Sequence, residues 1–247
     1  MADYDSNRII RGQAAEAGAV DAGLRAYMLR TYNYMMVGLA LTGGTAWMTA
    51  STPGLLGLFF RPGVGGAVGL SLLGWAALIV PFIMVIVLSY RIQRMSLPAA
   101  QALFWAYAGL MGISLAPIFL IYTGAAIAQT FFITAATFGA MSLWGYTTRS
   151  DLTRFGSFLF MGLIGVVIAS LVNLFIASSM MSWIISIVGV LVFTGLTAYD
   201  TQWIKNNYSA SDDGTAIGRK AIFGALKLYL DFLNLFLMLL RLFGSRR

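Results

Sequence analysis

The sequence predicts an all-α, polytopic membrane protein, and three observations carry that reading. Of 247 residues, 59% are hydrophobic and only 10% charged, against about 25% charged in a typical soluble domain. Mean hydropathy is +0.81. Apolar runs repeatedly reach the ~20 residues that a helix needs to cross a bilayer.

The elements follow from these runs and their punctuation. Residues 1–31 read as a polar cytoplasmic tail with a short helical approach. Residues 32–247 read as a single transmembrane domain of seven segments. Span one covers about Tyr32–Ala50. A Gly- and Pro-rich loop, "STPGLLGLFFRPGVGG", is apolar enough to lie in the membrane interface. Span two covers about Val68–Tyr90, with Pro81 expected to kink it. Span three follows Ser96 and Pro98 and reaches Tyr122, with Pro117 inside. Spans four, five and six cover about Ala125–Tyr146, Phe155–Ala177 and Met181–Ile204. The polar loop "KNNYSASDDGTAIGRK" leads to the last segment, about Ala221–Phe243. The small-residue spacing Gly65/Gly69 reads as ordinary helix packing.

Lys and Arg cluster at alternate ends of the spans: Arg25 and Arg30, Arg91 and Arg94, Arg149 and Arg154, Lys205, Arg219 and Lys220. By the positive-inside rule these ends and the N-terminus are cytoplasmic. Seven full crossings would then export the basic end "RLFGSRR". A re-entrant last segment would keep it inside, and the sequence leaves both routes open.

The composition also excludes functions. The chain has no cysteine and no histidine, which removes thiol nucleophiles, thiolate metal sites and the commonest general base. It carries no phosphate-binding Gly-Lys-Ser/Thr loop and no Gly-x-Ser-x-Gly elbow. No enzymatic activity and no tightly bound cofactor are expected. The net charge of +7 is dispersed at span ends, so no nucleic-acid partner is expected. The lipid bilayer is the first partner.

Two acids stand out among nine. Asp200 and Asp231 lie inside apolar segments, where an ionisable group costs at least ~2.5–3.5 kcal/mol at mid-membrane. Counting residues puts both in the cytoplasmic half, Asp231 the deeper, with Arg91 closing span two near the depth of Asp200. On the last segment Lys227, Asp231, Asn234 and Arg241 share one stripe at 100° per residue, so Lys227 could simply neutralise Asp231 at i, i+4. Burial disfavours the charged form of a carboxylate, a second carboxylate disfavours it further, and an Arg partner opposes both. Such a pair titrates as a unit, and deprotonated it offers hard oxygen ligands to Ca²⁺. The constellation could sense protons, bind a divalent cation or gate a path.

The stretches "FFITAATFGAMSLWGYTTRSDLTRFGSFLFMGLIG", "VFTGLTAYDTQWIK" and "ALKLYLDFLNLFLMLLRLFG" resemble the Bax inhibitor-1 (transmembrane Bax inhibitor motif) family, its bacterial branch in particular, from about Ala22 onward. The resemblance implies a seven-helix bundle whose C-terminal helix is central, wrapped by two three-helix layers. It also implies a pH-sensitive Ca²⁺ leak channel of the inner membrane, with Ca²⁺ as the permeant ion, Asp200 and Asp231 as sensor and ion path, and Arg91 as a latch on Asp200. Some relatives carry a carboxylate in span two and this chain has none, which implies weaker cation affinity. The competing readings are a non-conducting regulator that binds a membrane protease or stress-response partner, and a proton-coupled carrier.

Overall fold

A computed structural model describes the backbone of residues 2–62 and 68–247, with side chains described from residue 20 onward except at 62–68. Gly65 lies outside the described residues. The chain is helical almost throughout. Helix α1 (Ala2–Ser51) leads to a short α2 (Pro53–Phe59), and strands β1 (Phe60–Pro62) and β2 (Val68–Leu70) pair antiparallel, with Phe60 opposite Leu70. There follow α3 (Leu72–Arg91), α4 (Leu97–Leu115), a single turn α5 (Ile118–Ile121), α6 (Gly124–Thr147), α7 (Thr153–Ile176), α8 (Ser179–Asn206) and α9 (Gly214–Phe243).

Among the described residues, six helices are long and apolar enough to cross a membrane: α3, α4 continued through α5, α6, α7, α8 and α9. The second half of α1 completes a seven-helix bundle, packing against α4 and α9. Residues before Tyr32 already belong to the packed part of α1, since Tyr27, Met28 and Thr31 are buried. The loop after α1 is a helical turn and a hairpin, and α3 starts at Leu72 because Ser71 caps it by accepting the Gly74 N–H. Pro117 has no N–H to continue the ladder, so α4 stops at Leu115 and resumes as α5. Pro81 is carried inside one continuous α3.

Helix α9 is the axis. In its most apolar window 72% of residues are buried, against 11–44% for the other spans. It packs on α1 and α4 on one side and on α6 and α8 on the other, while α3 covers α4 and α7 covers α8. Two layers, α1–α3–α4 and α6–α7–α8, therefore enclose it. The Tyr229 ring meets Phe104 and Tyr107 edge-on at 6.3 and 5.3 Å, and its hydroxyl sits 2.7 Å from that of Thr42. Within each layer, glycine lets two helices approach closely. A Cβ on Gly145 would stand 2.2 Å from the Ala198 carbonyl oxygen, and one on Gly112 would stand 2.3 Å from that of Thr42.

The last segment crosses completely. At one end of α9 the Arg219 guanidinium donates to the Gln93 carbonyl at the α3–α4 turn. At the other, the Arg247 N–H donates to Ile121 O, and Ser245 O accepts the Thr123 N–H. Since α4 and α5 run from the first of these turns to the second, α9 runs the same length. The basic C-terminus thus lies at the opposite end of the bundle from the α3–α4, α6–α7 and α8–α9 turns.

Candidate functional site

The run Ala198–Lys205 on α8 fastens the helix to α9, to α6 and to the α6–α7 turn at successive positions. Asp200, 6% exposed, accepts a hydrogen bond at Oδ1 from Lys227 Nζ at 2.8 Å. The Thr201 hydroxyl is 2.9 Å from that of Ser142 on α6, and Ser142 in turn meets the Tyr32 hydroxyl of α1. Gln202 clamps the α6–α7 turn, accepting the Leu152 N–H at 2.9 Å and donating to Ser150 O at 2.8 Å. Trp203 presents its ring to Lys227 Nζ, 4.8 Å from the centroid. Lys205 donates to Tyr146 O at 2.8 Å.

On α9, Asp231 lies one turn beyond Lys227 and is 4% exposed. Its carboxyl faces both Asp200 and Lys227, and among the described residues its Oδ2 has no hydrogen-bond partner. Leaving a buried carboxylate oxygen unpaired is costly. Two carboxylates and one ammonium thus share an apolar seam between α8 and α9. Fully ionised, the three carry −1; with one proton they are neutral.

The structure joins Asp200 with Asp231 and separates them from other expected members. In this structure Arg91 is not paired with Asp200: it is exposed at the end of α3, a helix that packs mainly on α4, and Asp200's ion-pair partner is Lys227. Nor is Lys227 the private partner of Asp231. The stripe on α9 also divides, because Asn234 donates to Leu230 O of its own helix at 2.8 Å and Arg241 is exposed at the far end.

Among the described residues no cluster of three or more acidic, His or Cys side chains exists. A Ca²⁺ ion on the two carboxylates would need carbonyls and water for most of its six to eight oxygens. The loop acids have structural roles. Asp213 caps α9 through the Ala216 N–H at 2.6 Å, and Asp212 pairs with Lys220 at 2.5 Å. Asp151 accepts from the hydroxyl and N–H of Thr153, which hold its carboxyl below the usual range. Sequence reasoning missed Tyr32, Ser142 and Thr201. Thr201 sits beside Asp200, but its reach to α6 depends on helix packing.

Comparison with known proteins places this geometry. The family model described as "Inhibitor of apoptosis-promoting Bax1" matches residues 24–247. The chain is 49% identical to "Inner membrane protein YbhL" of Escherichia coli over 228 residues, covering 92% of this chain and 94% of the relative. It is 50% identical to an uncharacterized protein of Rickettsia prowazekii, covering 92% of each. It is 38% identical to an uncharacterized membrane protein of Streptococcus pyogenes, covering 91% of this chain and 94% of that protein. On this match over nearly the whole chain, with its apolar spans and central α9, the chain belongs to the Bax inhibitor-1 family as an integral membrane protein.

Proposed function

We propose that this chain is a Ca²⁺ leak channel of the bacterial inner membrane, gated by a proton on the Asp200–Asp231 pair. One observation carries the reading: two buried carboxylates face each other across α8 and α9 with a single ammonium to balance them. With one proton on the pair the cluster is neutral and Lys227 holds Asp200, which is the closed state. Loss of that proton leaves a net charge of −1 in a low-dielectric seam. The vacated charge attracts a cation strongly, and carboxylate oxygens suit Ca²⁺. Lys227 then serves as the resident counter-ion that a permeating cation displaces, and it holds Asp200 in the closed state where a latch by Arg91 was expected. The basic loops between Arg91 and Lys220 face the cytoplasm with the N-terminus.

The test is Ca²⁺ entry into indicator-loaded liposomes carrying the pure chain, followed over a pH series between about 5 and 8. Flux should rise with pH. Asp200→Asn and Asp231→Asn each remove one titrating site at nearly constant shape, so each alone should flatten the profile. The double variant should add little to the larger single effect. A double variant with the wild-type profile would remove the pair from sensing. Absence of flux in the wild type would leave the non-conducting regulator, bound to another membrane protein, as the reading.

A further inference from the structure

The aspartate seam leaves unused a cleft of about 1500 Å³ between α1 and α6. Helix α1 packs on α4 and α9, and α6 on α8 and α9, so the two flank a gap floored by Phe232. The cleft extends from Asp21 to Gly44 along α1 and from Tyr146 to Gly124 along α6. At 1.5 Å per residue that is about 33 Å, close to the ~30 Å hydrocarbon core of a bilayer. Its rims open sideways, with Met36 55%, Leu143 65% and Phe132 70% exposed.

The cleft is built wide. A Cβ on Gly43, Gly44, Gly124 or Gly139 would meet nothing within 4 Å. These glycines differ from Gly145 and Gly112, which let helices touch. Between their positions the walls are apolar, and the charges gather at one end.

Size and charge select the occupant. Flexible hydrocarbon chains fit an apolar trough of this length that opens to the side. At the polar end Asp21 and Arg25 lie one turn apart on α1, both exposed, and among the described residues neither has an ion-pair partner. A guanidinium suits a phosphate and a carboxylate suits an ammonium. We propose that the α1–α6 cleft binds a phospholipid with a zwitterionic amine headgroup, its phosphate on Arg25, its ammonium on Asp21 and its acyl chains along the cleft. The lipid's chains then press on Phe232, the residue next to Asp231.

The test uses the full chain in bilayer nanodiscs with phosphatidylethanolamine or phosphatidylglycerol of identical acyl chains, each carrying a photoreactive group in one chain, and peptide mapping of the adducts. Helix α7, the span with the least burial, reports the annular background. Adducts should concentrate several-fold on cleft positions of α1 and α6 over α7, and more with the amine lipid than with the glycerol lipid. Asp21→Ala should abolish that preference and Arg25→Ala should lower the cleft adducts of both lipids, each without a change in melting temperature. Gly139→Leu, which projects into open space, should cut cleft adducts several-fold while the α7 adducts persist. Cleft adducts no denser than those on α7 would overturn the site. Equal yields from both lipids, insensitive to Arg25→Ala, would overturn the headgroup assignment and with it the proposal. A cleft shielded from both lipids in a dimeric particle would assign it to a second copy instead.

Discussion

Lys227 Nζ of α9 donates to Asp200 Oδ1 of α8 at 2.8 Å, so the ion pair at the centre of the bundle joins two helices rather than two turns of one. Lys227→Met leaves Asp200 without its counter-charge. The expected loss is on the order of 1–3 kcal/mol, below the 3–5 kcal/mol of a fully buried pair, because the Lys227 side chain is 28% exposed and partly screened. Asp200→Asn alone strands the ammonium similarly. Combined, the two changes should cost less than their sum, with a coupling of about 0.5–3 kcal/mol. Thermal unfolding of the four proteins in one detergent measures it, and strictly additive losses would mean that the pair does not hold the helices.

The spans were legible where apolar runs meet capping residues. Thr123 and Ser178 accept the N–H groups that start α6 and α8, and both helices begin and end within a few residues of the expected limits. The limits of α3 and α4 were less legible. Val68–Leu70 pairs as a strand although its residues are as apolar as a helix start, and Pro117 divides a run that composition alone continues. At the site, the two aspartates could be read from the cost of a charge in an apolar segment. Their neighbours could not. A helical wheel places Lys227 beside Asp231, yet which carboxylate it engages is set by the register of α8 against α9. Depth alone placed Arg91 near Asp200, but depth does not say that α3 is separated from α8.

Arg91→Ala should be nearly silent. The side chain is exposed and forms no ion pair among the described residues, and such surface changes fall within about ±0.5 kcal/mol. Melting temperature and the pH profile of Ca²⁺ flux should both match the wild type. A flattened profile would show that Arg91 reaches Asp200 in another conformation.

Gly145→Ala and Gly139→Ala should separate sharply although they lie less than two turns apart on α6. At Gly145 the added methyl stands 2.2 Å from a backbone oxygen of α8, and overpacking of this kind costs about 1–3 kcal/mol. At Gly139 it meets nothing, and alanine gains up to ~1 kcal/mol of helix propensity. The first variant should melt lower and the second no lower than wild type. Equal destabilisation by both would contradict the close α6–α8 contact.

The crossing of α9 predicts which loops share a side of the membrane, and the natural lack of cysteine makes the test clean. Ser211 lies in the α8–α9 loop, while Ser245 follows α9 and Thr52 follows α1; all three are exposed. The Arg247 and Ser245 backbone bonds to Ile121 and Thr123 place the C-terminus at the Ile121 end of α5, away from the turns that carry most of the Lys and Arg. The basic turns should be cytoplasmic, so Ser245→Cys and Thr52→Cys should react with a membrane-impermeant maleimide on intact spheroplasts. Ser211→Cys should react only after the membrane is opened. The three basic residues near the C-terminus are then exported despite the charge bias, because six preceding crossings and the buried face of α9 fix the orientation of the last one. Labelling of Ser211→Cys and Ser245→Cys from the same side would mean that the last segment returns, and α9 would lose its place as the axis that carries Asp231 through the bundle.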